Sequence, residues 1–485
     1  MNSIKMRGVF AAVTGALLFG AAAPAMADSN DDIIYALMAK GVLTEEEGHQ
    51  LLDGRDKERA TQQKQMKSAG KVKISDAIDN ATIYGDVRVR HEYREGTGTV
   101  SGTNSVKETA NKDRYKITLG VKTEAGDWYS DLAMAMGAKG RSDNADLGSS
   151  SSISSNGVAA KDGLYVKRAM FGWKATDWLT LEAGRMDNPL YTTSMVWDPD
   201  LVVQGFTEKV KFKAGEANVF LTATQSTYVG PKVTFSPTAS GSTVQSGLFA
   251  FQGGAQYAFN DKTSAKAAVT YTTYSRDHAW GVYVPGKSTS AYSNGFPAVG
   301  SGTASTWGTN DLNTIEIPAE LNYMATGNVG VRLFGDYVYN TSGSDRYNAA
   351  IAAAGANANA IRAAGNDDNA WLLGFSVGSA KDLKAFESNK MAQGDWNAKI
   401  WYQEVGAYSI DQNLTDTDVF DARVNTKGTV FKSQYNLKDN VALNFTAAHA
   451  TRKNGELATS TSAGNDLGLN LSKFNLLQLD LTYKF

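Results

Sequence analysis

Over residues 475–485 the chain alternates apolar and polar residues without interruption. Leu477, Leu479, Leu481, Tyr483 and Phe485 fall on one face of an extended strand, and Gln478, Asp480, Thr482 and Lys484 on the other. A helical period would scatter the same residues around its axis, so this pattern specifies a strand. It recurs along the chain. Ile83, Gly85, Val87 and Val89 alternate with Tyr84, Asp86, Arg88 and Arg90, and Tyr115, Ile117, Leu119 and Val121 with Arg114, Lys116, Thr118 and Lys122. Ile315, Ile317, Ala319, Leu321 and Tyr323 alternate with Glu316, Glu320 and Asn322, and Val441, Leu443 and Phe445 with Asn444 and Thr446.

A soluble sandwich also alternates, so the rhythm of the connections decides. Short turns at 125–127, 175–177, 214–216, 260–262, 325–328 and 437–440 join runs of about 10–14 residues, long enough to cross a bilayer as tilted strands. Between these hairpins lie long Gly/Ser/Asn/Thr-rich stretches at 96–111, 141–162, 186–201, 229–246, 277–310, 341–368 and 453–473. Alternating short and long connections predict a transmembrane antiparallel β-barrel. The expected strands start near 81, 112, 127, 163, 178, 202, 215, 246, 262, 311, 327, 369, 394, 426, 439 and 474, about 16 in all. A barrel of this size leaves an aqueous lumen. Tyr483 and Phe485 are expected to serve as the signal read by barrel-assembly machinery.

The N-terminus carries Lys5 and Arg7, an apolar run over 9–23 and Ala25-Met26-Ala27. These features predict a signal peptide over 1–27 and export to the outer membrane. Residues 28–70 are expected to form a periplasmic helical segment and linker, with a break at Gly41 and a capping box at Thr44-Glu45-Glu46-Glu47. The barrel then occupies 71–485. Mean hydropathy of −0.32 excludes a helical bundle in lipid but suits a barrel whose every second residue faces water. With no cysteine, disulfides and thiolate chemistry are excluded, and a formal charge of −2 leaves no nucleic-acid footprint.

A diffusion pore needs a constriction that sets size and charge preference. The connection 185–201 is the candidate, because Leu190, Tyr191, Met195, Val196, Trp197 and two prolines give it apolar weight and a stiff backbone. Arg185, Asp187, Asp198 and Asp200 are its expected charged elements. Strand parity directs Asp86, Arg88, Arg90, Arg114, Lys116, Lys122, Glu316, Glu320, Arg332, Asp336, Asn397, Lys399 and Asp480 into the lumen, since a charge facing lipid at mid-membrane costs a few kcal/mol. Tyr84, Trp128, Tyr129, Trp173, Trp178, Tyr257, Tyr323, Tyr337, Trp396, Trp401 and Tyr483 are expected in the interfacial girdles. The acidic run Asp411, Asp416, Asp418 and Asp421 reads as solvated loop charge, ahead of a Ca²⁺ site. The four histidines, His49, His91, His278 and His449, form no metal pair, and no nucleophile elbow occurs. No enzyme, cofactor or metal is expected. The alternatives are a barrel lipid hydrolase and a tethering barrel with a plugged lumen.

Three stretches carry a family resemblance. They are Ile34 to Glu47, the loop from Gly184-Arg185 through Trp197-Asp198-Pro199-Asp200, and Lys427-Gly428-Thr429 with Tyr435 to Asn440. On these the chain resembles the putative porin family of Gram-negative outer membranes. The resemblance implies a general-porin-like barrel passing small hydrophilic solutes and ions by passive diffusion, with outer-membrane lipid around it. It implies no catalytic or cofactor residue, and by analogy with general porins it implies a homotrimer.

Overall fold

The computed structural model describes residues 78–99, 105–137, 142–148, 162–229, 246–275, 312–353, 358–379, 392–457, 466–468 and 470–485, with Met38, Thr44 and Thr459. The chain divides into two units, Met1–Val72 and Lys73–Phe485. The expected signal peptide and N-terminal helical segment lie outside the described residues, Met38 and Thr44 apart.

The second unit is a closed barrel of 16 staves. They are β1 (Asn80–Thr99), β2 (Ser105–Ala125), β3 (Trp128–Gly137), β4 (Gly163–Lys174), β5 (Leu179–Asp187), β6 (Val202–Ala214), β7 (Ala217–Val229) and β8 (Ser246–Asn260). The second half comprises β9 (Thr263–Tyr274), β10 (Thr314–Glu316 with Ala319–Met324), β11 (Gly330–Asn340), β12 (Asn369–Gly378), β13 (Trp396–Val405), β14 (Thr426–Lys438), β15 (Val441–Arg452) and β16 (Asn470–Lys484). Each pairs antiparallel with the one before it, and β16 pairs with β1, from Asp86↔Lys484 to Thr99↔Asn470. Pro318 divides β10 because it has no N–H to give. The ladder continues past it through Ile317 and Tyr337, which exchange bonds of 2.8 and 3.3 Å. No helix among the described residues is long and apolar enough to cross a membrane; the strands do so, hydrogen-bonded to their neighbours around the sheet.

Fifteen of the strand starts lie within four residues of expectation. The exception is β2, which begins at Ser105. Residues 105–112 carry only Val106 and Ala110 as apolar residues, so hydrophobic periodicity marks them weakly although β1 and β2 pair along their whole length. The connection 341–368, one of the long stretches between hairpins, holds two short helices, α1 (Gly343–Ala353) and α2 (Ala358–Ala364). They bury Ala350 and Ile361 against Tyr408 and Leu457.

The outer face is apolar and exposed, from Ile83, Val87 and Val89 to Leu477, Leu479 and Leu481. Aromatics line its short-turn end, among them Trp128 stacked on Trp173 at 5.4 Å, Trp178, Tyr323, Trp396, Tyr483 and Phe485. Three aromatics expected in the girdle point inward instead. Trp401 is buried and its indole N–H donates to Gln403. Tyr84 and Tyr129 bond Asp131 and Glu182 from within the lumen. Each of these tyrosines lies over a cross-strand glycine, Tyr84 over Gly120 and Tyr129 over Gly172, and Phe220 over Gly254 and Phe334 over Gly374 repeat the device. The glycine leaves room for a ring lying flat on the inner wall, and the ring covers backbone the glycine would leave bare.

Candidate functional site

Two connections fold into the lumen, and the wall that their carboxylates meet is basic. The first is the 188–201 loop between β5 and β6. Its tip follows the inward row of β8, β10 and β11. The Tyr191 N–H donates to the Gln252 side chain at 2.8 Å and the Gln252 amide returns a bond of 2.8 Å to the Tyr191 carbonyl. The Tyr191 hydroxyl donates to Glu320 at 3.0 Å, Thr192 to Glu316, and Thr193 to Asp336 at 2.6 Å. Lys266 of β9 lies 3.8 Å from the centre of the Tyr191 ring. Met195 and Trp197 complete the anchoring by joining two apolar clusters inside the barrel.

The second loop, 406–425 between β13 and β14, contains the acidic run that the sequence reading placed in solvent. That reading is corrected: nearly the whole loop is buried, and its carboxylates meet arginines of β1. Asp418 bridges Arg90 at 2.7 Å and Arg94 at 2.9 Å, and Asp421 bridges Arg94 at 3.2 Å and Arg423 at 3.1 Å. Arg94 also reaches Glu92 at 2.8 Å and Asp466 at 3.2 Å. Phe420, Asp421 and Ala422 all have left-handed backbones, with φ of 52°, 58° and 49°. Such residues cost of order 1–3 kcal/mol each, so the apolar seat of Phe420 and the ion pairs of Asp421 hold a strained segment in place. The loops also bond each other, Asp198 N–H to Leu414 carbonyl at 2.6 Å and Asp416 N–H to Ser194 carbonyl at 3.1 Å.

The basic wall comes from β1, β2 and β4. Cross-strand pairs Arg88↔Lys116 and Arg90↔Arg114 set four cations side by side. Arg90 forks onto Asp480 of β16 at 2.7 and 2.9 Å; Arg88 lies 3.8 Å from Asp480 and bonds Asn144. Arg114 meets Asp146 at 2.8 Å, and Lys116 meets Asp143 at 3.3 Å and Asp200 at 3.7 Å. On β4 a bulge intervenes, because Ala133 pairs with Arg168 and Met134 with Val166. Lys167 is the extra residue, and it and Arg168 both turn inward. Lys167 pairs with Asp143, while Arg168 holds Asp187 at 2.7 Å and Asp131 at 3.0 Å.

The named candidates therefore separate. Arg88, Arg90, Arg114, Lys116 and Asp200 share the basic side; Glu316, Glu320 and Asp336 hold the first loop, with Arg332 3.4 Å from Glu320. Asp198 turns onto its own loop, its carboxylate accepting the Asp200 N–H at 2.9 Å. Asp187 lies at the wall with Arg168, and Arg185 stands apart, its Nε donating to the Lys167 carbonyl at 2.9 Å. Tyr483 faces outward, and Phe485 exchanges main-chain bonds of 3.0 and 3.1 Å with Gly85. Glu92 and Arg94 were missed although they continue the even-numbered row of β1. Lys167 and Arg168 could not be found by parity, because a bulge breaks it.

Charge sets the loop carboxyls apart. Burial pushes the Asp200 carboxyl up, but Lys116, Lys167 and Arg88 outweigh it and hold it at about 2. Asp418 is likewise burdened by burial and is drawn well below the usual carboxylate range by Arg90 and Arg94. Burial wins at Asp416, which is raised despite Lys432.

The family described as "Putative porin" matches residues 90–281 and 286–485. No curated protein matches the chain. Among solved structures, the high-pH structure of Pseudomonas putida OprB is similar at 11% identity over 84% of this chain and 94% of that one, with a TM-score of 0.44. A mutant of the Rh. blastica porin is similar at 12% identity over 84% of this chain and 100% of that one, with a TM-score of 0.36.

Proposed function

The chain belongs to the putative porin family and is an outer-membrane channel protein, and we propose that it passes small hydrophilic solutes and ions down their gradients through a lumen narrowed by two fixed loops. The observation that carries this reading is the double anchoring of the neck: hydroxyls of 191–193 on Glu320, Glu316 and Asp336, and Asp418 on Arg90 and Arg94. A loop tied at that many points behaves as wall rather than as a gate. The cations Arg88, Arg90, Arg114 and Lys116 stand beside the carboxylates of Asp143, Asp200 and Asp418. A passing solute therefore meets closely spaced charges of both signs, which exchange with its hydration and slow large or apolar molecules most.

Bond chemistry has no part in this mechanism. Lipid contacts the exposed apolar belt, the neck admits the solute, and Phe485 with Tyr483 supports assembly of the closed wall. A homotrimer is the assembly this reading expects.

Single-channel recording in planar bilayers tests the proposal. Wild-type protein should give stable open steps, and replacing 407–424 with a short glycine linker should enlarge them. The apolar cluster of Trp401, Ile410, Val419 and Phe420 under the second loop favours one rival, a lumen shut by that loop. In that case the wild type is silent and only the deletion conducts. Silence from both proteins, with folded barrel present, would end the channel reading.

A further inference from the structure

The wall of the barrel has a break between β4 and β5. Their ladder ends at Ala169↔Arg185, yet β4 continues to Gly163 paired only with β3, and β5 continues to Asp187 paired only with β6. Above that point the two facing edges have no backbone partner in each other. The Arg185 side chain supplies a single substitute, its Nε bond to the Lys167 carbonyl. Both edges line a cavity of about 570 Å³, to which the two inserted loops contribute Trp197, Asp200, Asn413 and Leu414. That volume suits a small-molecule site.

Its lining mixes an apolar bed with charge. Met136, Val166, Trp197, Val202, Leu248 and Leu414 supply the bed. Lys167, Asp143, Asp200 and Arg185 supply the charge. The first three are satisfied: Asp143 and Asp200 share Lys116 and Lys167 at contact distances. Two lysines balance two aspartates, and Arg185 is left over. Beyond its Nε bond, its guanidinium forms no contact ion pair with any described residue, and Asp143 acts on it only at longer range. Every other arginine of this basic side, from Arg88 to Arg168, is matched to a carboxylate. A half-buried guanidinium beside apolar surface, with two N–H edges uncommitted, is a receptor for a planar anion.

We propose that this cavity binds a small carboxylate with an apolar body, the carboxylate on the Nη groups of Arg185 and the body on Trp197 and Leu248. The site goes beyond the channel reading and depends on it only for access through the lumen. Bidentate carboxylate recognition would supply specificity, and the apolar bed would exclude strongly hydrated anions.

The test uses benzoate as probe on folded, detergent-solubilised full-length protein, followed by calorimetry, with acetate and benzyl alcohol as partial mimics. Benzoate should bind saturably, and acetate and benzyl alcohol at least tenfold more weakly, since each lacks one half of the ligand. R185Q should weaken benzoate binding at least tenfold. M136W, which fills the bed and keeps the guanidinium, should do the same and carries the test should R185Q fail to fold by heat-modifiable gel mobility. Equal benzoate binding by wild type and a folded variant overturns the site. Wild type that conducts in bilayers yet binds no benzoate overturns this inference and leaves the channel reading standing.

Discussion

At the scale of single residues, the chain's least expected feature is how much charge it puts inside the barrel and how fully it pairs it. Arg94 is wholly buried and contacts Glu92, Asp418, Asp421 and Asp466. Removing one partner from such a cluster strands the others, at a cost of roughly 3–5 kcal/mol. Arg94→Met should therefore lower stability by about that amount in chemical denaturation, whereas a loss under about 1 kcal/mol would mean that the cluster is solvated. The pH dependence follows from Asp418. Its folded value lies below its unfolded one, so its contribution is complete above the ordinary carboxylate range and disappears only as pH falls through the depressed folded value. Asp418→Asn should lower the unfolding temperature at pH 7 and by nearly as much at pH 4, the margin closing only as pH falls further toward the depressed folded value. Equal unfolding temperatures of the two proteins at pH 7 would show an ordinary carboxyl and refute the pairing with Arg90 and Arg94. Half of this network was legible in the sequence. The even-numbered row Arg88, Arg90, Glu92, Arg94 follows from period 2, but nothing local to Asp416 or Asp418 distinguishes a buried acid from a solvated one. Only the neighbouring Val419 and Phe420 hint at it, since a loop in water has no use for them.

At the scale of elements, strands were readable where one face met lipid and the other met water, because that contrast is the signal. It fades where apolar residues are sparse, as in the outer parts of β1 and β2, and it is misdirected at Lys167, where one extra residue shifts every later side chain to the opposite face. The aromatic–glycine pairs are a further case. Tyr129 looked like a girdle residue, and only the register with Gly172 gives its role. A Cβ at Gly172 would overlap the Tyr129 ring, so the ring would have to swing off the wall and loosen its bond to Glu182 at 2.6 Å. Gly172→Ala should cost about 1–3 kcal/mol, the usual range for overpacking. In the double variant with Tyr129→Ala the two losses should fall short of additive, because the clash disappears with the ring. Strict additivity in equilibrium unfolding would show that ring and glycine are energetically independent.

At the scale of the molecule, closure is what makes a sheet tolerable in lipid: an open edge there leaves a row of N–H and C=O groups unpaired, at several kcal/mol each. Closure here depends on β16 meeting β1. The pairing runs from Asp86↔Lys484 upward, and beyond Lys484 the Phe485 main chain bonds Gly85 in both directions. The Phe485 ring covers Gly85, where any side chain would collide with it and with the Thr118 carbonyl. Tyr483 packs beside it at a ring distance of 6.2 Å, so the seam ends in an aromatic pair facing the membrane interface. Phe485→Ala keeps every backbone bond of the seam and removes the ring that shields it. Its effect should therefore appear in formation of the barrel more than in the ladder once formed. The expected result is a lower fraction of heat-modifiable, folded protein in membranes, with the surviving barrels conducting as the wild type does. Undiminished folded protein would show that the ladder alone closes the seam, and altered conductance in the survivors would show that the seam shapes the lumen as well as the wall.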